Sequence, residues 1–193
     1  MFEVELKAHV DNRKALIDKI NTFAKYSGYV KRDDYYWGKG TVKIRIRKQT
    51  NLDNSENTSH DKADNCILLT YKRKELRPDS NGNSIEVNDE KETVIDDAVP
   101  LESFLQDAGF TITLNKVKEV MDWEYDGATL ELCNVKGLGD FLEIEIMSPS
   151  DDKKCIAKLR NKLLTILDKT CIDRSRIEDR YYSEMLDELK SRA

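Results

Sequence analysis

The clearest pattern in the chain is a two-residue alternation of charged and apolar side chains, which is the period of a β-strand. In residues 2–8, Glu3, Glu5 and Lys7 alternate with four apolar side chains. The same alternation recurs along the chain, with charged positions at Lys43, Arg45, Arg47, Lys72, Lys116, Lys118, Glu143 and Glu145. Each such strand therefore has one ionic face and one apolar face, and the sign of the charge differs from strand to strand.

The alternation and the turn residues predict eight strands, at about 2–8, 29–37, 42–48, 67–74, 84–94, 111–125, 128–136 and 140–147. The segment at 29–37 is predicted to be only a short strand followed by a turn. Asp126-Gly127 is a strong hairpin signal between the sixth and seventh strands. The turn residues at 78–82 separate the fourth strand from the fifth.

Apolar residues at helical spacing predict four helices. The first is capped by Asp11 and ends at Gly28. The second has Pro100 in its first turn, ends at Gly109 and is expected to bury Leu101, Phe104, Leu105 and Ala108. The third follows Ser148, read as its cap, with Pro149 in its first turn, and the fourth spans about 181–191.

Two arrangements satisfy this pattern. In a sandwich, the apolar faces share one core and the charged faces meet water. In a closed or nearly closed sheet with the ionic faces inward, a polar tunnel forms, and helices must cover its apolar exterior. Solvated charged faces are the commoner case, but the helices needed to cover a tunnel are present.

The composition sets limits on function and location. The 193 residues suit one domain, residues 1–193, with a polar loop at about 50–65 that we expect to be mobile. The formal charge of −5, from 37 acidic and 32 basic residues, argues against a general nucleic-acid binder. No apolar run reaches the length of a membrane span, and Cys66, Cys133, Cys155 and Cys171 show no paired spacing. We expect a cytoplasmic protein with reduced thiols and no membrane partner.

An ordered set of motifs resembles the CYTH superfamily, the triphosphate tunnel metalloenzymes. Glu3-Val4-Glu5-Leu6-Lys7 matches the family's ExExK signature. The motifs that follow in the family's order are Arg45-x-Arg47, Leu69-Thr70-Tyr71-Lys72, Glu86, Lys116-x-Lys118 and Gly137-Leu138-Gly139-Asp140-Phe141-Leu142-Glu143-Ile144-Glu145. The last segment is most similar to class IV adenylyl cyclases, and thiamine triphosphatases are further relatives. The resemblance implies an α+β fold, an antiparallel eight-stranded closed or nearly closed β-tunnel with helices packed on the outside.

The resemblance also implies roles for the charged residues. The substrate-binding set is Lys7, Arg45, Arg47, Lys72, Glu86, Lys116 and Lys118. The metal-binding set, for Mg²⁺ or Mn²⁺, is Glu3, Glu5, Glu143 and Glu145, and the catalytic set is Glu3, Glu5, Lys7 and Glu131. Relatives commonly carry an aspartate where this chain has Cys133, and cysteine is a poor ligand for magnesium. Glu131 shares the face of Cys133 on the same strand and is the favoured replacement.

The activity implied is that of a metal-dependent adenylyl cyclase, which converts ATP to cyclic AMP and pyrophosphate. A triphosphatase acting on thiamine triphosphate, nucleoside triphosphates or inorganic tripolyphosphate is the alternative within the family. A third hypothesis is a protein that binds nucleotide or polyphosphate without turnover. The expected partner is a triphosphate, ATP first, with no nucleic acid, and assembly as a homodimer stays open.

Overall fold

The structure, a computed structural model, describes residues 2–53, 65–78 and 84–192, and for 72–78 and 84–90 it describes the backbone alone. The eight strands are β1 Phe2–His9, β2 Lys25–Lys39, β3 Val42–Asn51, β4 Cys66–Pro78, β5 Ser84–Ile95, β6 Thr111–Tyr125, β7 Ala128–Val135 and β8 Gly139–Ser148. Most of the predicted polar loop, residues 54–64, lies outside the described residues, as do residues 79–82 of the predicted turn and residue 83.

The strands form one strongly curled antiparallel sheet. Its hydrogen-bonded neighbours follow the order β1-β5-β4-β3-β2-β6-β7-β8, and β8 pairs back with β1. The β1–β8 ladder runs from Phe2 to His9, whereas β1 meets β5 only over Phe2–Glu5, so this seam is the weakest part of the ring. The predicted α+β fold with a closed or nearly closed antiparallel sheet is confirmed.

The two faces of the strands separate as the tunnel arrangement requires. On β1, Val4, Leu6 and Ala8 are buried in the main hydrophobic cluster, which lies outside the curled sheet and includes Leu163 and Leu167 of a helix. The ionic faces point inward, where eight charged side chains of the described residues are almost fully buried: Glu3, Lys7, Asp34, Lys116, Lys118, Asp122, Glu131 and Glu143. The solvated sandwich is therefore excluded, because its charged faces would be exposed.

Four α-helices lie among the described residues: α1 Arg13–Ile20, α2 Val99–Asp107, α3 Lys153–Thr170 and α4 Tyr182–Arg192. α3 packs across β1 and β8 and contacts α1, burying Ile156, Leu163, Ile166 and Leu167. α2 covers another part of the outer face, where Leu105 packs with Trp37 and Ile46. α4 matches the C-terminal helix predicted at about 181–191.

The predicted helix termini and one buried face were partly wrong. α1 is capped by Asn12 rather than Asp11, and it ends at Ile20 because residues from Lys25 onward join β2 and pair with β6. Phe104 is 64% exposed, since the short helix α2 turns only a narrow stripe toward the sheet.

α3 also begins later than predicted. β8 continues to Ser148, so Ser148 and Pro149 do not start α3; the cap is Asp152, which accepts bonds from the backbone N–H groups of Lys154 and Cys155. β2 is longer than predicted: it runs through 15 residues, whereas a short strand followed by a turn was predicted at 29–37.

The Asp126-Gly127 hairpin is confirmed. Tyr125 pairs with Ala128, and both loop residues have positive φ, 51° and 71°. Such values give the turn a twist that matches the twist of the strands. Cys66, Cys133, Cys155 and Cys171, all among the described residues, form no disulfide bonds. Among the described residues, no helix has the length and apolar character needed to cross a membrane.

Candidate functional site

The inner faces of the strands line a cavity of about 790 Å³. Its walls include ten of the predicted site residues: Glu3, Glu5, Lys7, Arg45, Arg47, Lys116, Lys118, Glu131, Glu143 and Glu145. The side chains of the other two, Lys72 and Glu86, are not among those described. Backbone pairing sets Glu86 opposite Glu5, and Lys72 opposite Glu90.

One wall of the cavity carries carboxylates. Strand register places Glu5 opposite Glu145 on β8, and carboxylate oxygens of Glu3, Glu5 and Glu145 lie within 4.8 Å of one another. Burial, together with the negative charges of Glu131, Glu3 and Glu5, raises the pKa of Glu145 well above its usual value. This cluster repels added negative charge and attracts cations.

The other wall carries bases organised around a buried acid. Asp34 on β2 is fully buried and accepts bonds from Arg47 Nε at 2.7 Å and Arg47 Nη2 at 3.1 Å. Lys116 Nζ lies 3.4 Å from Asp34 Oδ2. Burial alone would raise the pKa of Asp34, but Arg47, Lys116 and Arg45 outweigh burial and hold the pKa well below its usual value. The acid thus fixes the direction of two cations that face the cavity.

Arg45 is held from the neighbouring strands. Its Nη2 donates to Thr70 Oγ1 at 3.0 Å and to Glu92 Oε2 at 3.1 Å, and the Thr70 hydroxyl donates to the same Glu92 oxygen at 2.8 Å. Arg45 also pairs with Tyr36 in the β2–β3 register. The guanidinium groups of Arg45 and Arg47 therefore lie on one basic wall with restricted orientations.

A third group spans β2, β6, β7 and β8, between the acidic and basic walls. Lys118 Nζ donates to Glu143 Oε2 at 2.7 Å, to Glu131 Oε2 at 3.2 Å and to Cys133 Sγ at 3.4 Å. Arg32 Nη1 donates to both oxygens of Glu131, at 2.8 and 2.7 Å. All five side chains therefore belong to one buried network.

The charges of this network support one another. Burial would raise the pKa of Glu131, but Arg32 and Lys118 overcome burial and lower the pKa to about 2. Glu143 likewise has a pKa well below its usual value, because Lys118 and Lys116 outweigh the effect of burial. Burial and the charge of Glu143 raise the pKa of the Cys133 thiol, which therefore stays neutral.

The C-terminal segment closes over part of the cavity. Lys7 Nζ donates to the backbone carbonyl of Arg180 at 2.6 Å and lies 4.7 Å from the ring centre of Tyr182. The same ring lies 5.1 Å from Lys116 Nζ. Tyr182 and Met185 also pack with inward-facing apolar side chains, Val30, Val120, Cys133, Val135 and Phe141. Lys7 is thus turned toward this segment as well as toward the cavity.

Contributors missed from sequence include Arg32, Asp34, Glu92, Asp122 and Tyr182. Arg32 and Asp34 lie on β2, where both faces are polar, so no charged–apolar alternation marks them. Their importance follows from register, since Arg32 pairs with Lys118 and Asp34 with Arg47. Tyr182 reaches the cavity only through tertiary packing.

The acidic wall fits a hard divalent cation. Mg²⁺ and Mn²⁺ prefer carboxylate oxygens, and Glu3, Glu5 and Glu145 present such oxygens close together. A second group, Glu131, Cys133 and Glu143, is equally compact but includes a thiol and already surrounds the Lys118 ammonium. The first group is therefore the better metal site.

Comparison with known proteins agrees with this architecture. A family model described as the CYTH domain matches residues 1–182. A protein from Pyrococcus horikoshii OT3 is 25% identical over 97% of this chain and 99% of its own, with a TM-score of 0.75. No curated protein matches.

Two further solved structures share the fold. A candidate adenylate cyclase from Vibrio parahaemolyticus is 19% identical over 97% of this chain and 98% of its own, with a TM-score of 0.71. A candidate adenylyl cyclase from Hippeastrum, described as having a dominant triphosphatase activity, is 16% identical over 95% of this chain and 93% of its own, with a TM-score of 0.59.

Proposed function

The chain belongs to the CYTH domain family, and we propose that its tunnel is the active site of a metal-dependent adenylyl cyclase that converts ATP to cyclic AMP and pyrophosphate. The observation that carries the proposal is the separation of charge within one cavity. Glu3, Glu5 and Glu145 form one wall, and Arg45, Arg47 and Lys116 form part of the other. A triphosphate with a bound cation has matching charges, because the cation faces the acids and the phosphate oxygens face the bases.

The cavity also has room for an organic group beside the phosphate chain. Its volume of about 790 Å³ falls in the range of sites that enclose drug-sized ligands. Tyr36, Tyr71, Ile44 and Leu114 line it together with the charged residues. Flat aromatic and apolar surfaces suit a nucleoside better than they suit bare tripolyphosphate, which favours ATP.

The side chains would divide the work as follows. Arg45, Arg47 and Lys116 would hold the phosphate chain extended, so that the ribose 3′-oxygen faces the α-phosphorus opposite the leaving pyrophosphate. The new bond joins the 3′-oxygen to the α-phosphorus, the bond from that phosphorus to the bridging oxygen breaks so that pyrophosphate leaves, and the hydroxyl proton passes to solvent water. Glu3, Glu5 and Glu145 would hold the Mg²⁺ or Mn²⁺ ion, which when bound supplies charge stabilisation for the phosphate oxygens.

A triphosphatase is the second candidate, and the Hippeastrum neighbour favours it, since that protein is described as a candidate cyclase with a dominant triphosphatase activity. The same walls would serve, with water attacking the γ-phosphorus in place of the ribose oxygen. What differs is the placement of the nucleophile, not the charge of the site.

Product analysis tests the proposal. The purified protein is incubated with Mg²⁺ or Mn²⁺ and, separately, with ATP, thiamine triphosphate or tripolyphosphate. Cyclic AMP with an equal amount of pyrophosphate from ATP supports the cyclase. Release of phosphate without cyclic AMP would support the triphosphatase in place of the cyclase. Substrates that stay intact under all conditions would reject both activities.

A further inference from the structure

Among the described residues, the cavity holds two compact acidic groups. Glu3, Glu5 and Glu145 form the first, and Glu131, Cys133 and Glu143 form the second, each with its ligand atoms within 4.8 Å of one another. Both groups include a residue of β8, and Glu131 lies opposite Glu143 in the strand register. By spacing alone, each could surround one cation.

The second group already surrounds a cation of the chain itself. The Lys118 ammonium contacts one atom from each member: Glu143 Oε2 at 2.7 Å, Glu131 Oε2 at 3.2 Å and Cys133 Sγ at 3.4 Å. An ammonium group has three N–H donors, and three acceptors take them. Lys118 is nearly fully buried as well, so its donors are directed at protein atoms and not at a phosphate.

Arg32 is a second cation in contact with this group. Its Nη1 binds both oxygens of Glu131, and its Nη2 lies 3.5 Å from Asp122 Oδ2. Lys118 and Arg32 thus both contact carboxylates of the group, and Arg32 also pairs with Asp122, while Cys133 contributes a neutral thiol. An aspartate at position 133 would instead add a third negative charge beside Glu131 and Glu143.

We propose that the Lys118 ammonium takes the place of a second divalent ion, so that the tunnel binds one metal ion, at Glu3, Glu5 and Glu145. Lys118 is then a positioning residue that fixes Glu143 and Glu131 instead of gripping the phosphate chain. Glu131 serves the same network rather than replacing a metal-binding aspartate. The inference rests on the proposed metal-dependent function and revises the roles of Lys118, Glu131 and Glu143 within it.

The test counts bound Mn²⁺ per chain without any nucleotide, by equilibrium dialysis or by the electron paramagnetic resonance signal of free Mn²⁺. The wild type is expected to bind one ion. Lys118→Met removes the charge at nearly constant length, and Lys118→Gln keeps a donor without the charge; both are expected to bind two. The control Lys116→Met removes a cation that pairs with Asp34 and should leave the count at one.

Thermal unfolding provides a second readout, since a buried carboxylate pair without its cation destabilises the fold. Mn²⁺ should raise the melting temperature of Lys118→Met more than that of the wild type. Two ions on the wild type, or one ion on folded Lys118→Met and Lys118→Gln, would overturn the inference while leaving the proposed activity intact. Conversely, if the wild type bound one Mn²⁺ ion but left every triphosphate unchanged, the proposed activity would be rejected and the inference of a single metal site would stand.

Discussion

Asp34 and Arg47 form a buried two-bond ion pair at the centre of the basic wall, with distances of 2.7 and 3.1 Å and no exposure of the acid. The pair orients a cation toward the cavity and offsets part of its charge. Removing one partner of a buried pair typically costs about 3–5 kcal/mol, because the other charge is left uncompensated.

Asp34→Asn should therefore lower the free energy of unfolding of the ligand-free protein by about 3 kcal/mol. Tripolyphosphate should recover much of the loss, because its charges compensate Arg47 and Lys116. The measurement is the melting temperature with and without tripolyphosphate. The control Asp33→Asn alters the adjacent residue on the opposite strand face; an equal ligand-induced shift in both variants would contradict this account.

The acidic wall predicts a different outcome for Glu3→Gln and Glu5→Gln. A catalytic metal supplies several kcal/mol, so turnover should fall by about a hundredfold or more, while circular dichroism stays unchanged. Glu119→Gln, on the outer face of β6, is the matched control, since Glu119 bonds Tyr29 outside the cavity. If Glu3→Gln or Glu5→Gln kept wild-type activity at the Mn²⁺ concentration that the wild type requires, the metal would have to bind elsewhere.

Arg45→Met tests whether the basic wall recognises the length of the phosphate chain. Hydrogen bonds to charged groups contribute about 1.5–3 kcal/mol, so the Kd for ATP should rise by about 10–100-fold. The Kd for AMP should change much less, as AMP reaches fewer cations. Lys48→Met, at an outward position of β3 where Lys48 pairs with Glu102, controls for loss of charge. If the Kd values for ATP and AMP rose by the same factor, the basic wall would not recognise the length of the phosphate chain.

The C-terminal segment gives a pH prediction. The bond from Arg180 lowers the pKa of Glu178 to about 2, despite burial, and His9 also bonds this carboxylate. A lowered carboxyl pKa stabilises the fold fully above the unfolded pKa near 4.5, and this contribution is lost as the pH falls toward about 2.

Glu178→Gln should therefore destabilise the protein by on the order of 1 kcal/mol at pH 7, a value reduced by solvent screening of the exposed Arg180. The difference from the wild type should shrink as the pH falls from 5 toward about 2. Chemical denaturation at several pH values measures it. A difference that does not vary with pH would show that the ionised carboxylate is not responsible.

The sequence was most informative where one strand face is ionic and the other apolar. β1, β3 and β8 carry that alternation, which placed Glu3, Arg45 and Glu145 on ionic faces. The resemblance to the CYTH superfamily then indicated that those faces point into the tunnel. β2 was not, because Arg32 and Asp34 are flanked by other polar residues, and only pairing with β3 and β6 reveals what they hold.

The same limit explains Lys118. The alternation placed Lys118 on an ionic strand face, but it does not distinguish a cation that contacts a ligand from one that contacts Glu131 and Glu143. Tyr182 lies far from the other site residues in sequence, so its contacts with Lys7 and Lys116 depend on where the C-terminal segment packs. The alternation of charged and apolar residues along a strand cannot predict such tertiary contacts.

The most direct test of the account is a crystal structure with Mn²⁺ and an ATP analogue in which a methylene group replaces the oxygen between the α- and β-phosphorus atoms. The bond to the leaving group cannot then break, and anomalous scattering locates the metal. We predict one Mn²⁺ ion in the tunnel, bound by Glu3, Glu5, Glu145 and phosphate oxygens, with the phosphate chain against Arg45 and Arg47. A tunnel without Mn²⁺ or triphosphate at saturating concentrations of both would contradict the central claim.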